Sequence, residues 1–233
     1  MSAPGGWETA EKFLARTDPV LRRVIRSVGP CALRPERRRS PFESLVRAVA
    51  HQQLHGKAAA TILGRFLALF PGPGFPAPAA LATVSDDAIR AAGFSRGKLL
   101  AIRDIAARTL AGVVPDSRRI ARLTDEEIVT RLTECRGVGR WTAEMLLIFK
   151  LGRPDVLPVD DFGVREGFRV AHGHEAQPAP RELMIWGTRW APHRTVAAWY
   201  LWRVADGAKM AKKPAAISRA IPPVGEVRPP AAP

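Results

Sequence analysis

The sequence predicts an all-α fold on three observations. Apolar residues recur at spacings of three and four along most of the chain, helix-start signals precede several of these runs, and no convincing pair of segments alternates polar with apolar residues. Spacings of three and four place apolar side chains on one face of a helix, whereas a half-buried strand alternates with a period of two. At 233 residues, the chain is long enough to bury a core without disulfide bonds.

The clearest helix starts lie at Ser40 and Thr124. Each is a hydroxyl residue followed three positions later by a glutamate, Glu43 or Glu127, which is the pattern of a capping box. The apolar spacing predicts further helices over residues 19–28, 56–70, 86–92, 96–111, 140–150, 162–171 and 195–205. Segment 71–76, rich in Pro and Gly, is expected to be a loop between helices.

Composition divides the chain into a core, residues 1–207, and a basic tail rich in Pro and Ala, residues 208–233, which is predicted to be disordered. The formal net charge is +14. Residues 207–233 hold five basic residues and one glutamate and so contribute +4, which leaves +10 on the rest. A positive field of this size favours polyanionic partners such as nucleic acids.

Neither a metal centre nor a membrane span is expected. Cys31 and Cys135 are far apart, which leaves no zinc-binding or iron–sulfur spacing, and the pair His172 and His174 lacks a third ligand. No stretch approaches the roughly 20 apolar residues of a membrane-spanning helix, and the first residues lack the pattern of a signal peptide. We therefore expect a soluble, monomeric, cytoplasmic protein, associated with the nucleoid if the source is bacterial.

The sequence Gly137-Val138-Gly139 separates two predicted helices within residues 132–148. Glycines allow positive φ and leave no Cβ in the way of an approaching surface, so the N–H groups that open the second helix could point at a phosphate. For these three residues alone, an ordinary tight turn is the simpler interpretation. DNA binding is favoured by the longer pattern, in which Arg140, able to reach a phosphate, and Thr142 precede an apolar run.

Beyond the hairpin the chain continues with a Pro-containing loop and Asp161, 22 positions after Gly139. On this combination the sequence resembles the helix-hairpin-helix (HhH-GPD) DNA glycosylase superfamily over about residues 41–206. Three segments are most similar to its 3-methyladenine DNA glycosylase II branch, residues 51–59, 93–98 and 190–202. The resemblance implies two helical lobes with the active-site cleft between them. Some members carry an extra N-terminal β-domain, for which the 40 residues before Pro41 are too few.

The resemblance assigns the catalytic carboxylate to Asp161. A fixed anion in a water-poor pocket would stabilise the positive charge that develops on deoxyribose as the base leaves, and could orient or deprotonate water. Asp160 and Asp161 both precede a predicted helix, where Asp is also a favoured N-cap. One of them can cap the helix while its neighbour faces the substrate, and an error of one position between them stays open.

The resemblance also places Trp141 and Trp202 in the base pocket. Bifunctional members of the superfamily carry a nucleophilic lysine at the position of Trp141, so this chain is expected to lack the Schiff-base route to strand cleavage and to use water. An indole face attracts a cationic N-alkylated base by about 0.5–2 kcal/mol. Plain core packing is the alternative role for Trp141.

An enzyme that acts on a base must extrude it from the stack. The resemblance implies that Leu54 intercalates as a wedge, with Gln53 beside it; the alternative for Leu54 is a buried leucine at a helix end. By analogy with the family alone, a monovalent cation, K⁺ or Na⁺, is expected at the hairpin carbonyls. No other cofactor is expected to be required.

These inferences combine into one hypothesis, a monofunctional DNA glycosylase that excises alkylated bases from double-stranded DNA in base excision repair. Its rivals are a non-enzymatic module that binds damaged DNA, a glycosylase for oxidised or mismatched bases, and a helical protein-interaction scaffold. Asp161 argues against the first. A glycosylase for oxidised or mismatched bases is disfavoured by the tryptophans and by the absence of both the lysine and the iron–sulfur cysteines. A protein-interaction scaffold would leave the positive charge and the hairpin unexplained. The sequence does not indicate which alkylated base is preferred.

Overall fold

The computed structural model describes residues 6–54 and 56–212. Over these residues the chain forms helices and no strand, which confirms the all-α prediction. The α-helices, in chain order, are α1 (Glu8–Thr17), α2 (Pro19–Val28), α3 (Pro41–His51), α4 (Gly56–Leu67), α5 (Asp86–Ala91), α6 (Arg96–Leu110), α7 (Ser117–Ile120), α8 (Asp125–Thr133), α9 (Arg140–Leu146), α10 (Phe162–His172), α11 (Pro180–Gly187) and α12 (Arg194–Lys212). Short 3₁₀ segments cover Pro78–Thr83 and Thr188–Trp190, and α9 continues into a π-helical turn, Leu147–Leu151.

Both helix starts marked in the sequence carry their expected N-caps. Ser40 Oγ accepts a hydrogen bond from the Glu43 N–H at 3.1 Å, and Thr124 Oγ1 accepts one from the Glu127 N–H at 3.3 Å. At Thr124 the box is reciprocal, because the Glu127 carboxylate accepts from the Thr124 N–H at 2.7 Å. The Glu43 carboxylate instead pairs with Arg47, one turn further on, at 2.8 Å.

Besides the single-turn helix α7, two helices, α1 and α11, are not predicted from the sequence. Their N-cap residues are Trp7 and Ala179, neither of which makes a side-chain capping bond, so the usual start signal is missing. Tertiary packing stabilises α1 instead, through the buried side chains of Ala10 and Leu14. Propensity and capping are weak determinants beside such burial.

The helices pack in two groups that the chain visits in turn. Helices α1, α2, α10 and α12 contact one another, and so do α3, α4, α5, α6, α8 and α9. A single hydrophobic core runs through both groups. The chain crosses from the first group to the second after α2 and returns at α10, so the start of α10 faces α9 across the junction. This junction holds the candidate site.

Two glycines allow α10 to pack closely on α12. A Cβ on Gly167 would overlap the backbone carbonyl of Leu201, and a Cβ on Gly163 would lie 2.8 Å from Trp202 Cδ1. Residues four apart share one face of a helix, so both glycines open the same side of α10. The close approach brings Trp202 to the first turn of α10.

Helices lie near both ends of the described part of the chain. Before Pro41 the described residues form α1 and α2. Helix α12 continues past the predicted core boundary at residue 207, through residues 208–212, which are Ala, Lys and Met and favour helix. The rest of the predicted tail, residues 213–233, lies outside the described residues. No helix in the described part of the chain has the length and apolar character needed to cross a bilayer.

Candidate active site

The predicted hairpin lies between α8 and α9. Its two glycines are needed for different structural reasons. Gly137 has a φ of 75°, and a Cβ there would lie 3.0 Å from the Ala101 Cβ. Gly139 is the N-cap of α9 with a φ of −90° and provides no side-chain cap, and a Cβ built on it would meet nothing within 4 Å. The turn therefore requires Gly137, whereas Gly139 leaves the start of α9 open to an approaching group.

Side chains of the hairpin are less available than the sequence suggested. Val138 and Thr142 are buried, so a contact between their side chains and DNA is not available in this conformation. Arg140 donates to both oxygens of Glu126 at 3.1 Å and to Glu144 at 3.2 Å. These ion pairs occupy three of the five N–H donors of the guanidinium and offset its charge, so it is less available to a phosphate. The uncapped N–H groups at the start of α9 are the accessible donors of the hairpin.

Asp161 lies at the centre of the site and accepts three hydrogen bonds. The indole N–H of Trp141 donates to Oδ2 at 2.7 Å, and that of Trp202 donates to Oδ1 at 2.8 Å. The backbone N–H of Val164 donates to Oδ1 at 2.8 Å, which makes Asp161 the N-cap of α10. Hydrogen bonds from three donors fix both oxygens of one partly exposed carboxylate.

Capping and contact with the tryptophans are not divided between the two neighbouring carboxylates. Asp161 both caps α10 and contacts the two tryptophans, whereas Asp160 is exposed. A single carboxylate can do both because capping occupies one lone pair on Oδ1 and leaves the remaining acceptor positions free.

Phe149 is a further residue of the site that the sequence did not single out. Its ring, 41% exposed, stacks on the ring of Trp202 with centroids 5.5 Å apart. Phe149 also lines a cavity of about 530 Å³ together with His51, Leu63, Thr142 and Met145, among other residues. A π-helical turn places Phe149 there, and the spacing rule for α-helices does not anticipate that register.

Trp141 is 43% exposed, so plain core packing does not describe it.

One turn further along α9, Glu144 is 6% exposed. Burial raises the pKa of Glu144 to about 7, the Arg140 guanidinium opposes that rise, and the negative charges of Asp160 and Glu126 add to it. This buried carboxyl group, which pairs with Arg140, therefore titrates near neutral pH.

The two residues predicted as the wedge lie in the turn after α3. Leu54 is 40% exposed, which rules out the alternative of a buried leucine at a helix end. Gln53 is exposed and has a φ of 58°, the one positive value found for a residue other than glycine among residues 6–54 and 56–212. His55, which joins this turn to α4, lies outside the described residues.

Comparison with known families gives one match that covers most of the fold. A family model described as "HhH-GPD superfamily base excision DNA repair protein" matches residues 46–192. That range holds the turn after α3, the hairpin, Trp141 and Asp161. Trp202 lies outside the matched range.

Individual relatives and solved structures point the same way. DNA-3-methyladenine glycosylase 1 of Schizosaccharomyces pombe is 40% identical over 206 residues, 87% of this chain and 90% of the relative. A structure of the 3-methyladenine DNA glycosylase Mag1 of that yeast in complex with abasic DNA superposes with a TM-score of 0.76 at 41% identity, covering 84% of this chain and 95% of that one. A DNA-3-methyladenine glycosidase from Bacillus halodurans gives a TM-score of 0.78 at 35% identity, covering 86% and 91%.

Proposed function

Since this chain belongs to the HhH-GPD superfamily of base excision DNA repair proteins, we propose that it extrudes alkylated bases of the 3-methyladenine type from duplex DNA and hydrolyses their bond to the sugar. It is a DNA glycosylase, and DNA is its partner. One observation carries the proposal, the Asp161 carboxylate held by the indole N–H groups of Trp141 and Trp202. We further propose that it acts as a monomer.

Asp161 suits the charge that develops in this reaction. As the bond between C1′ and the base nitrogen breaks, the base takes the electron pair and the sugar becomes positive. A fixed carboxylate stabilises that charge without reorganising. Water then forms the new bond to C1′ and loses a proton to Asp161 or to solvent, so the products are an abasic site and the free base.

The nature of the base follows from the rings around the carboxylate. An N-alkylated purine carries positive charge while it is attached to the sugar and leaves as a neutral molecule, so no general acid is needed. The faces of Trp141 and Trp202 would attract such a cation, and Phe149 extends the aromatic surface beyond Trp202. Trp141 also stands where bifunctional members carry their lysine, which leaves hydrolysis as the route.

DNA would be bound at two places on the second group of helices. The open N–H groups at the start of α9 can bind a phosphate, and Leu54, exposed in the turn after α3, would fill the space left by the extruded base. Backbone carbonyl oxygens in the hairpin are suitable ligands for K⁺ or Na⁺; those of Cys135 and Gly137 already accept one hydrogen bond each and keep a second lone pair. We propose that the cation, when bound, stabilises the turn, and no chemical step depends on it.

The direct test uses DNA treated with a methylating agent. The protein is incubated with this DNA and the released bases are identified by chromatography, with Asp161→Asn as the control. We expect 3-methyladenine-type bases in the soluble fraction and no trapping of a covalent adduct by borohydride. Intact DNA binding without base release would favour the damage-binding module. Release of oxidised bases instead would favour a glycosylase for oxidised or mismatched bases.

A further inference from the structure

We propose that Gln52 is a positioning residue that ties the turn carrying Leu54 to the DNA-gripping hairpin, so that wedge insertion and phosphate binding occur in a fixed register. The inference rests on the proposed role of Leu54 as the wedge. Gln52 is the C-cap residue of α3, two positions before Leu54. Its side chain spans the gap between two segments that are distant in sequence.

The link itself is one well-formed hydrogen bond. Gln52 Nε2 donates to the carbonyl oxygen of Gly137 at 3.0 Å, across 85 positions of sequence. Gly137 is the residue whose positive φ turns the chain into α9. The peptide that Gln52 holds is therefore part of the turn that directs the N–H groups of α9 toward DNA.

The turn after α3, which carries Leu54, is itself fixed by hydrogen bonds to α6. The ammonium group of Lys98 donates to the carbonyl oxygens of Ala50 and Gln52 at 2.9 and 2.7 Å. A cation at the C-terminal end of a helix is favourably placed, because the last carbonyls lack partners within the helix. The backbone at Gln52 is thus fixed to α6, and its side chain is fixed to the hairpin.

Gln53 shows why this fixation matters. A glutamine with positive φ adopts a conformation that costs free energy and persists where its surroundings enforce it. The fixed residue before it, Gln52, holds the chain as it enters that conformation. Leu54 follows directly and is thereby presented on the surface. Without the bond from Gln52 to Gly137, the turn would be free to relax away from the hairpin.

The test is a double-mutant cycle with single-turnover excision as the readout. Gln52→Met keeps the length of the side chain and removes the donor, while Leu54→Ala removes the wedge. Loss of one hydrogen bond of this kind predicts a rate lowered about threefold to tenfold in Gln52→Met. In the Leu54→Ala background the same change should have no further effect, because Gln52 acts through Leu54.

Two more variants separate positioning from stability. Gln177→Met removes another amide hydrogen bond of 3.0 Å, to Glu166, outside the site, and its excision rate should equal that of the unaltered protein. Gln52→Asn keeps the amide but shortens the side chain, so it should reproduce the loss seen in Gln52→Met with an unchanged melting temperature. Losses that multiply in the double mutant, or an undiminished rate in Gln52→Met, would overturn the coupling. An undiminished rate in Leu54→Ala would overturn the wedge and with it the coupling, whereas failure of base release by the unaltered protein would overturn the proposed activity.

Discussion

Trp202 and Asp161 are joined by a hydrogen bond of 2.8 Å from the indole N–H to Oδ1. The tryptophan belongs to α12, and the aspartate caps α10. The bond depends on how closely these helices approach, because Gly163 and Gly167 open the face of α10 on which Leu201 and Trp202 lie. Packing between two helices therefore sets the orientation of the candidate catalytic group.

Asp161→Asn is expected to lower base excision by roughly 100- to 1,000-fold, in line with the loss of a charge-stabilising group in other enzymes. Binding to duplex DNA should be retained, because the hairpin is unchanged. Single-turnover excision and equilibrium binding measure the two effects. Asp160→Asn is the matched control, since that carboxylate is exposed, and a larger loss there than at Asp161 would refute the assignment.

Trp202→Phe is expected to reduce the excision rate by roughly 10- to 100-fold, because a hydrogen bond to a charged group contributes about 1.5–3 kcal/mol and positions Oδ1. A phenyl ring can still stack on Phe149, so affinity for a cationic base should change less than the rate. Excision rates and competition by free methylated base distinguish these effects. Trp141→Phe, which removes the bond to Oδ2, should behave similarly, and an unchanged rate in both would show that the indole N–H groups do not position the carboxylate.

Gly163→Ala tests the close approach of α10 and α12. The new Cβ would lie 2.8 Å from Trp202 Cδ1 and 3.1 Å from Asp161 Oδ1, so Trp202 must move. We expect a loss of about 1–3 kcal/mol in the free energy of unfolding together with slower excision, measured by urea denaturation and by single-turnover kinetics. In the control Gly207→Ala, nothing within 4 Å meets the new Cβ, so stability should rise by up to about 1 kcal/mol.

Glu126→Gln should increase affinity for undamaged duplex DNA. The change weakens the bidentate pair that occupies Arg140 and removes a negative charge beside the hairpin. Both effects favour phosphate binding, and freeing one more basic contact should steepen the dependence of affinity on salt. Fluorescence anisotropy at several salt concentrations measures this. If the gain persists in an Arg140→Gln background, Arg140 is not the responsible group.

The raised pKa of Glu144 predicts that the stability of the protein depends on pH. That pKa rises from an ordinary value near 4.5 to about 7 on folding, so the folded protein holds a proton that the unfolded chain has lost. Stability therefore falls as pH rises from about 4.5 to 7, and the full cost, on the order of 3 kcal/mol, is present above pH 7. Glu144→Gln removes this cost, so its advantage over the unaltered protein should grow across that range in urea denaturation.

The same experiment has a direct control in Glu126→Gln. Both glutamates pair with Arg140, but Glu126 is exposed while Glu144 is buried. If loss of an ion pair were the cause, both variants would respond to pH in the same way. A constant difference between Glu144→Gln and the unaltered protein from pH 5 to 8 would contradict burial as the origin of the raised pKa.

Local patterns predicted the helical fold and the hairpin, and the resemblance to a known family identified the candidate site residues. The N-caps at Ser40 and Thr124, the glycines at 137 and 139 and the spacing to Asp161 are short-range features, which depend on a few neighbouring residues and so can be recognised in one sequence. The same reasoning missed α1, whose start has no capping side chain. It also overestimated the availability of Arg140, because the partner Glu126 lies 14 residues away.

Only the tertiary structure decided how these residues act together. The two indole bonds to Asp161, the stacking of Phe149 on Trp202 and the bond from Gln52 to Gly137 join segments between 20 and 85 positions apart. Such contacts depend on the distance and rotation of packed helices, which the hydrophobic period of each helix leaves free. The sequence thus determined which groups are present, while packing determined that one carboxylate both caps a helix and accepts hydrogen bonds from two tryptophans.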